Sequence, residues 1–174
     1  MATPLSQVIR DRSGQQVEVC YHCHKCAAGC PAAAAMAFGP DRLLRMASLD
    51  QRAPVLRSRD IWLCAGCYAC ATRCPNGIDV AAVMDALRQI AVAEGVPAGE
   101  SDAALFHQLF LRIVQVFGRS HEAALLGLFK VLSRVPLTND MAAGVRLFLM
   151  GKVPILPGRS GAGKAVRQIL RRME

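Results

Sequence analysis

Eight cysteines fall in two short runs, CYHCHKCAAGCP at 20–31 and CAGCYACATRCP at 64–75. Both read C-x2-C-x2-C-x3-C-P, the bacterial-type spacing for a [4Fe–4S] cluster. Three cysteines three residues apart let a curled loop wrap one cubane and reach three of its irons. The fourth iron needs a thiolate from elsewhere. The trailing cysteine opens a new segment and turns to the neighbouring cluster, as in two-cluster ferredoxins. The expected ligand sets are Cys20, Cys23, Cys26 and Cys74 for one cluster, and Cys64, Cys67, Cys70 and Cys30 for the other. The two runs then form one interlocked unit. Small neighbours, among them Ala27, Ala28, Gly29, Ala65, Gly66, Ala69 and Ala71, let backbone N–H groups approach inorganic sulfur.

Structural zinc is the rival. Zinc takes four ligands tetrahedrally, usually as two separated CxxC pairs. Three cysteines in seven residues, twice, each with a trailing C-P, fit that pattern poorly. His22 and His24 lie inside the first run, but a Rieske-type centre does not show this spacing twice. They are expected at the cluster periphery or surface. His24 and Lys25 put positive charge near the first cluster, which favours its reduced form. The second run has only Arg73 nearby. Trp62 and Tyr68 flank the second run and are expected to pack there. His107 and His121 have no sequence neighbours suited to metal binding.

The rest of the chain must position these loops. Of 174 residues, 53% are hydrophobic and only 5% aromatic, so Ala, Leu and Val supply most of the core. The start, MATPLSQVIRDRSGQQVEV, has no apolar export segment, and the hundred residues after Cys74 hold no cysteine. Both features favour metal-binding thiols in a reducing cytoplasm over a disulfide framework. No stretch reaches the roughly 18 uninterrupted apolar residues of a membrane span. The formal charge is +8. Two clusters netting about −2 each would bring it to about +4, so the basic balance does not call for nucleic acid.

No strand alternation appears, so the chain is expected to be all-α. Ala32–Phe38 reads as helical up to Gly39-Pro40, and Asp41 as the cap of a short helix over 41–48. A short helix carries Asp60–Leu63 into the second run. Asp79 caps a helix with Val80, Val83, Met84, Leu87, Ile90 and Ala91 on one face, stopped by Gly95 and Pro97. Residues 1–95 thus form a two-cluster domain, and VPAGESD (96–102) links it to a helical region over 96–174. There Phe106, Leu109, Phe110, Ile113 and Phe117 share a helix face ending at Gly118. Ser120 caps the next helix, which ends near Pro136, and a third spans about Asp140 to Met150. Gly151–Gly163 is irregular, and a last helix carries Val166, Ile169, Leu170 and Met173 beside Arg167, Arg171 and Arg172. GRSGAGKA (158–165) spells the start of a P-loop, but Ala165 stands where a Mg²⁺-binding hydroxyl is needed and no strand is expected before it.

The paired cysteine runs, the helical insert, FHQLFLRIVQVFGRSHEAALL (106–126) and GKVPILPGR (151–159) together resemble the C-type subunit family of heterodisulfide reductase. The resemblance covers nearly the whole chain. It implies an α-helical ferredoxin with two [4Fe–4S] clusters that passes electrons from a flavin-containing A-type subunit to a catalytic, cysteine-rich B-type subunit. All eight cysteines are spent on clusters, so no thiol is left as a nucleophile. No active site of its own is expected. The cysteine runs alone are shared with ferredoxin-like subunits of other dehydrogenases, some membrane-linked. A zinc-stapled interaction module is the remaining alternative.

Overall fold

Leu5 and Ile9, one helical turn apart, are fully buried. They lie on α1 (Leu5–Ser13), a helix the polar N-terminal sequence hides. It ends at Gly14, whose φ of 70° is left-handed and whose N–H donates to the Arg10 carbonyl. The computed structural model of the chain describes residues 3–98, 101–133, 144, 146, 149–150 and 163–171. Among them every regular element is helical. The chain divides into two units, Met1–Ser101 and Asp102–Glu174.

The first unit adds α2 (Lys25–Ala28), α3 (Gly39–Ser48), α4 (Arg52–Leu56), α5 (Asp60–Leu63), α6 (Ala69–Arg73) and α7 (Val80–Ala93). Its organising element is α7, against which α1, α4, α5 and α6 pack. The Asp79 carboxylate accepts the Ala82 N–H at 3.0 Å and caps the helix. Val80, Val83, Met84, Leu87, Ile90 and Ala91 are all buried, as their spacing predicts. The C-terminus closes with two nested bonds, Gly95 N–H to the Val92 carbonyl and Val96 N–H to the Ala91 carbonyl. Gly95 takes the left-handed φ of 63° that this closure requires.

Two expected features are built differently. Ala32–Phe38 is not a helix. It holds only a 3₁₀ turn at Ala33–Ala35. The reason is Asp60, completely buried, whose carboxylate accepts the N–H groups of Ala37, Phe38 and Gly39 at 2.9, 2.6 and 3.0 Å. Donors that would have continued a helix are drawn to a carboxylate more than twenty positions away. The same carboxylate serves the start of α3, which begins at Gly39 rather than at 41. Asp41 therefore does not cap that helix and sits in its first turn. The short α4 is a further element without a clear sign in the sequence. Pro54 lies in its first turn, where a missing N–H costs nothing, and Val55 and Leu56 are buried.

The second unit contains α8 (Ser101–Phe117), α9 (Glu122–Leu132) and α10 (Gly163–Arg171). Leu109 and Ile113 of α8 bury with Leu125 of α9, flanked by Leu105, Phe117, Ala124 and Phe129. Phe106 sits at the edge of this cluster, its ring 5.7 Å from that of Phe129, and Phe110 is exposed. The cap of α9 is His121 rather than Ser120. The His121 Nδ1 accepts the Ala124 N–H at 3.1 Å, and the helix ends at Leu132. Only Gly144, Arg146, Leu149 and Met150 of the expected 140–150 helix are described. Residues 151–162 and 172–174, including most of GRSGAGKA and Met173, lie outside the described residues.

Candidate metal centre

The two cysteine runs fold alike. In the first, His22 and His24 have φ of 55° and 59°. In the second, the corresponding Gly66 and Tyr68 have φ of 60° and 59°. His24 and Tyr68 are the N-cap residues of α2 and α6. Left-handed residues alternating with right-handed ones turn successive N–H groups toward one point and make an anion-binding concavity, a geometry found at iron–sulfur sites. Three of these four residues carry side chains, and each non-glycine in this region costs about 1–2 kcal/mol. Such strain persists where the surroundings impose it. A polyanionic cluster at the centre of each loop is the group that fits. Only Gly66 could have signalled this conformation from the sequence.

Each loop walls a cavity. The first, of about 350 Å³, is lined by Cys20, Cys23, Cys26 and Cys74, with His24, Asp41 and Asn76 among the others. The second, of about 400 Å³, is lined by Cys30, Cys64, Cys67 and Cys70, with Met36, Tyr68 and Met84. Each trailing cysteine thus stands in the cavity of the other run. Val80, the first residue of α7, lines both. Among the described residues, no three His, Cys, Asp or Glu side chains converge on a single ion position. The thiols instead stand around a space with room for a polynuclear group.

Cys26 is buried, and burial pushes its thiol up to about 11. The nearby Asp41 and Cys20 raise it further. Burial also raises Cys70, with a contribution from Cys64. These thiols ionise at neutral pH only when a metal charge replaces the lost hydration, so metal binding releases protons. Cys23 and Cys67, the middle members of each triplet, are exposed.

Side chains from distant positions hold the loops. The Arg88 guanidinium on α7 donates to the Ile61 carbonyl at 2.5 Å and to the Cys64 carbonyl, and pairs with Asp85 at 2.9 Å. The Asn76 amide donates to the Val19 carbonyl, tying the end of the second run to the entrance of the first. The Gln15 side-chain oxygen accepts the Asp79 N–H at 2.8 Å. None of these ties is visible in the cysteine spacing.

The charge distribution differs from the expected one. His24 Nδ1 lies 2.6 Å from Oδ2 of Asp41, which is only 5% exposed, so a carboxylate faces the first cavity beside the two basic residues. Arg73, encoded in the second run, lies across Gly29 of the first. A Cβ at Gly29 would come within 2.7 Å of its guanidinium nitrogen. The second run has its own cation in Arg88. Trp62 is buried but lines neither cavity, whereas Tyr68 is half exposed at the second.

Paired cysteine-walled cavities joined through α7 in an all-helical frame define an α-helical, ferredoxin-like iron–sulfur protein. Residues 16–78 match the 4Fe-4S dicluster domain family, and the match spans both runs. Comparison with curated proteins gives no match. The chain carries two [4Fe–4S] clusters, which supply reversible one-electron acceptance. No helix among the described residues is long and apolar enough to cross a membrane.

Proposed function

We propose that the chain is the electron-transfer subunit of a heterodisulfide reductase-type complex in the cytoplasm. It passes electrons between a flavin-containing A-type subunit and a catalytic, cysteine-rich B-type subunit. In this reading Cys20, Cys23, Cys26 and Cys74 hold one cluster, and Cys64, Cys67, Cys70 and Cys30 hold the other. Residues 1–95 are the conducting domain, and 96–174 dock the partners.

The observation that carries this reading is the even division of all eight cysteines between two cavities. No cysteine is left over to attack a disulfide, so bond chemistry falls to another subunit. Conduction asks less of the protein. It needs clusters held rigidly, partly shielded from water and close together. Arg88, Asp60 and Asn76 fix the loops, and Val80 is the shared wall. The resemblance in 106–126 and 151–159 supports this family over other dicluster subunits.

Anaerobic purification of the tagged chain from its own cells, with partners identified by mass, tests the proposal. A flavoprotein and a cysteine-rich partner are expected, with about eight irons per chain. The reconstituted chain alone should show no disulfide reductase activity. A membrane-anchored dehydrogenase as the partner would replace this reading with the other ferredoxin-like one. A colourless, zinc-loaded protein would overturn both.

A further inference from the structure

The geometry points to the open crevice between α2 and α6 as the docking surface for an acidic redox protein that exchanges electrons with the first cluster. This rests on the electron-carrying reading above and adds a site and a partner chemistry to it. The crevice holds about 600 Å³ and is lined by Lys25, Ala28 and Arg73, all exposed or partly exposed. Lys25 also lines the first cysteine cavity, and Arg73 is followed directly by Cys74 of that cavity. A protein seated on the crevice is therefore separated from the first cavity by a single layer of residues.

No described carboxylate pairs with either cation, Lys25 or Arg73. The nearest acid of the cavity wall, Asp41, is buried and engaged by His24. The Arg73 side chain lies across Gly29, in the space a Cβ there would take. Two exposed cations on a rim beside a redox centre, neither held by a described carboxylate, match carboxylates on a partner, and such complementarity raises encounter rates. Ala28 is the third lining residue, and no buried polar side chain lines the crevice. That suits a flat protein contact rather than the enclosure of a small anion. With the cluster bound, it would supply the one-electron acceptor for a reduced flavin on the partner, and Lys25 and Arg73 would orient that partner. No bond is made or broken.

The test uses anaerobic, cluster-loaded full-length chain, with a flavodoxin as the acidic one-electron probe. Binding is read by anisotropy of labelled flavodoxin, and electron transfer by stopped flow. Lys25→Glu should weaken binding and slow reduction about tenfold at low ionic strength, with the difference shrinking in salt. Arg57→Glu, on an exposed residue lining none of the three cavities, should do neither. Two small reductants separate docking from a change in cluster potential. The dithionite radical anion should slow and the methyl viologen radical cation should accelerate with Lys25→Glu, whereas a shifted potential moves both rates the same way. If Lys25→Glu loses its cluster absorbance, Lys25→Gln serves, with a smaller effect in the same directions. Equal effects of Lys25→Glu and Arg57→Glu, or tighter binding of single-stranded DNA than of flavodoxin at the crevice, would overturn the docking assignment. Failure of the loaded clusters to accept electrons from either small reductant would instead sink the electron-carrying reading.

Discussion

Cys30 and Cys74 stand in each other's cavities: Cys74 lines the one walled by the first run, and Cys30 the one walled by the second. The exchange ties the two loops into one object, so removing a trailing cysteine should damage the distant cluster and spare the local one. Iron in Cys74→Ala should fall from about eight toward about four per chain. The double variant Cys74→Ala/Cys23→Ala should lose no more than that, because both residues serve one cavity. Cys74→Ala/Cys67→Ala should lose nearly all. Iron and sulfide analysis with electron paramagnetic resonance reads the difference, and the reverse pattern would mean that each run holds its own fourth ligand.

Asp60 is the most consequential residue outside the cysteines. Its buried carboxylate satisfies three backbone N–H groups between the runs. Asp60→Ala leaves these donors without the carboxylate; the Gly39 N–H is buried, and such an orphan costs about 1–3 kcal/mol, whereas those of exposed Ala37 and Phe38 cost less. We expect a loss of at least about 2 kcal/mol in anaerobic denaturant unfolding of the loaded protein. Asp60→Asn keeps one acceptor oxygen and should lose less. Equal stability of Asp60→Ala and the parent would remove the carboxylate from its place as the cap of α3.

How far the sequence could be read follows from the range of each interaction. The cysteine runs are local and periodic, so the spacing carries the expected ligand sets, and the eight thiols line two cavities. The face of α7 was legible for the same reason, since Val80 to Ala91 repeat at helical spacing and Asp79 caps them. Ala32–Phe38 misled because alanine-rich sequence favours helix locally, while the partner that unmakes it, Asp60, lies more than twenty residues on. His121 misled because Ser120 beside it is the better cap by type, yet the imidazole reaches the Ala124 N–H. The left-handed turns at His22, His24 and Tyr68 had no signal in residue type at all. The positions of Arg73 and Arg88 depend on tertiary packing and could not be read from charge along the chain.

Arg52 and Glu94 join α4 to the C-terminal end of α7 through two contacts, one of them Nε to Oε2 at 3.2 Å. The Arg52 guanidinium holds the Glu94 carboxyl below its usual value. A carboxyl lowered in the folded state stabilises above its unfolded pKa, and that contribution is lost as pH falls through the folded one. Both side chains are about one-third exposed, so solvent limits the contribution to about 0.5 kcal/mol. Glu94→Gln should lose that amount equally at pH 8, 7 and 6, with the gap narrowing only as pH enters the carboxylate range. Denaturation midpoints across that series check it. A gap that changed between pH 8 and pH 6 would implicate another group.

Gly29→Ala gives the sharpest separation between stability and surface chemistry. The backbone there has an ordinary φ of −102°, so a side chain brings no conformational strain. The obstacle is the Arg73 side chain, whose Cδ and guanidinium atoms lie within 2.7–2.8 Å of the added Cβ. A flexible side chain can swing away, so unfolding should change by no more than about 1 kcal/mol. Swinging away moves Arg73 off Gly29 and changes its position in the crevice it shares with Lys25. Gly29→Ala should therefore keep its clusters and its denaturation midpoint while reduction by the dithionite radical anion slows, and Arg73→Gln should slow it similarly. Adding Arg73→Gln to Gly29→Ala should bring little further change, because both act through the same guanidinium. Additive slowing in the double variant would show that Gly29 does something other than leave room for Arg73.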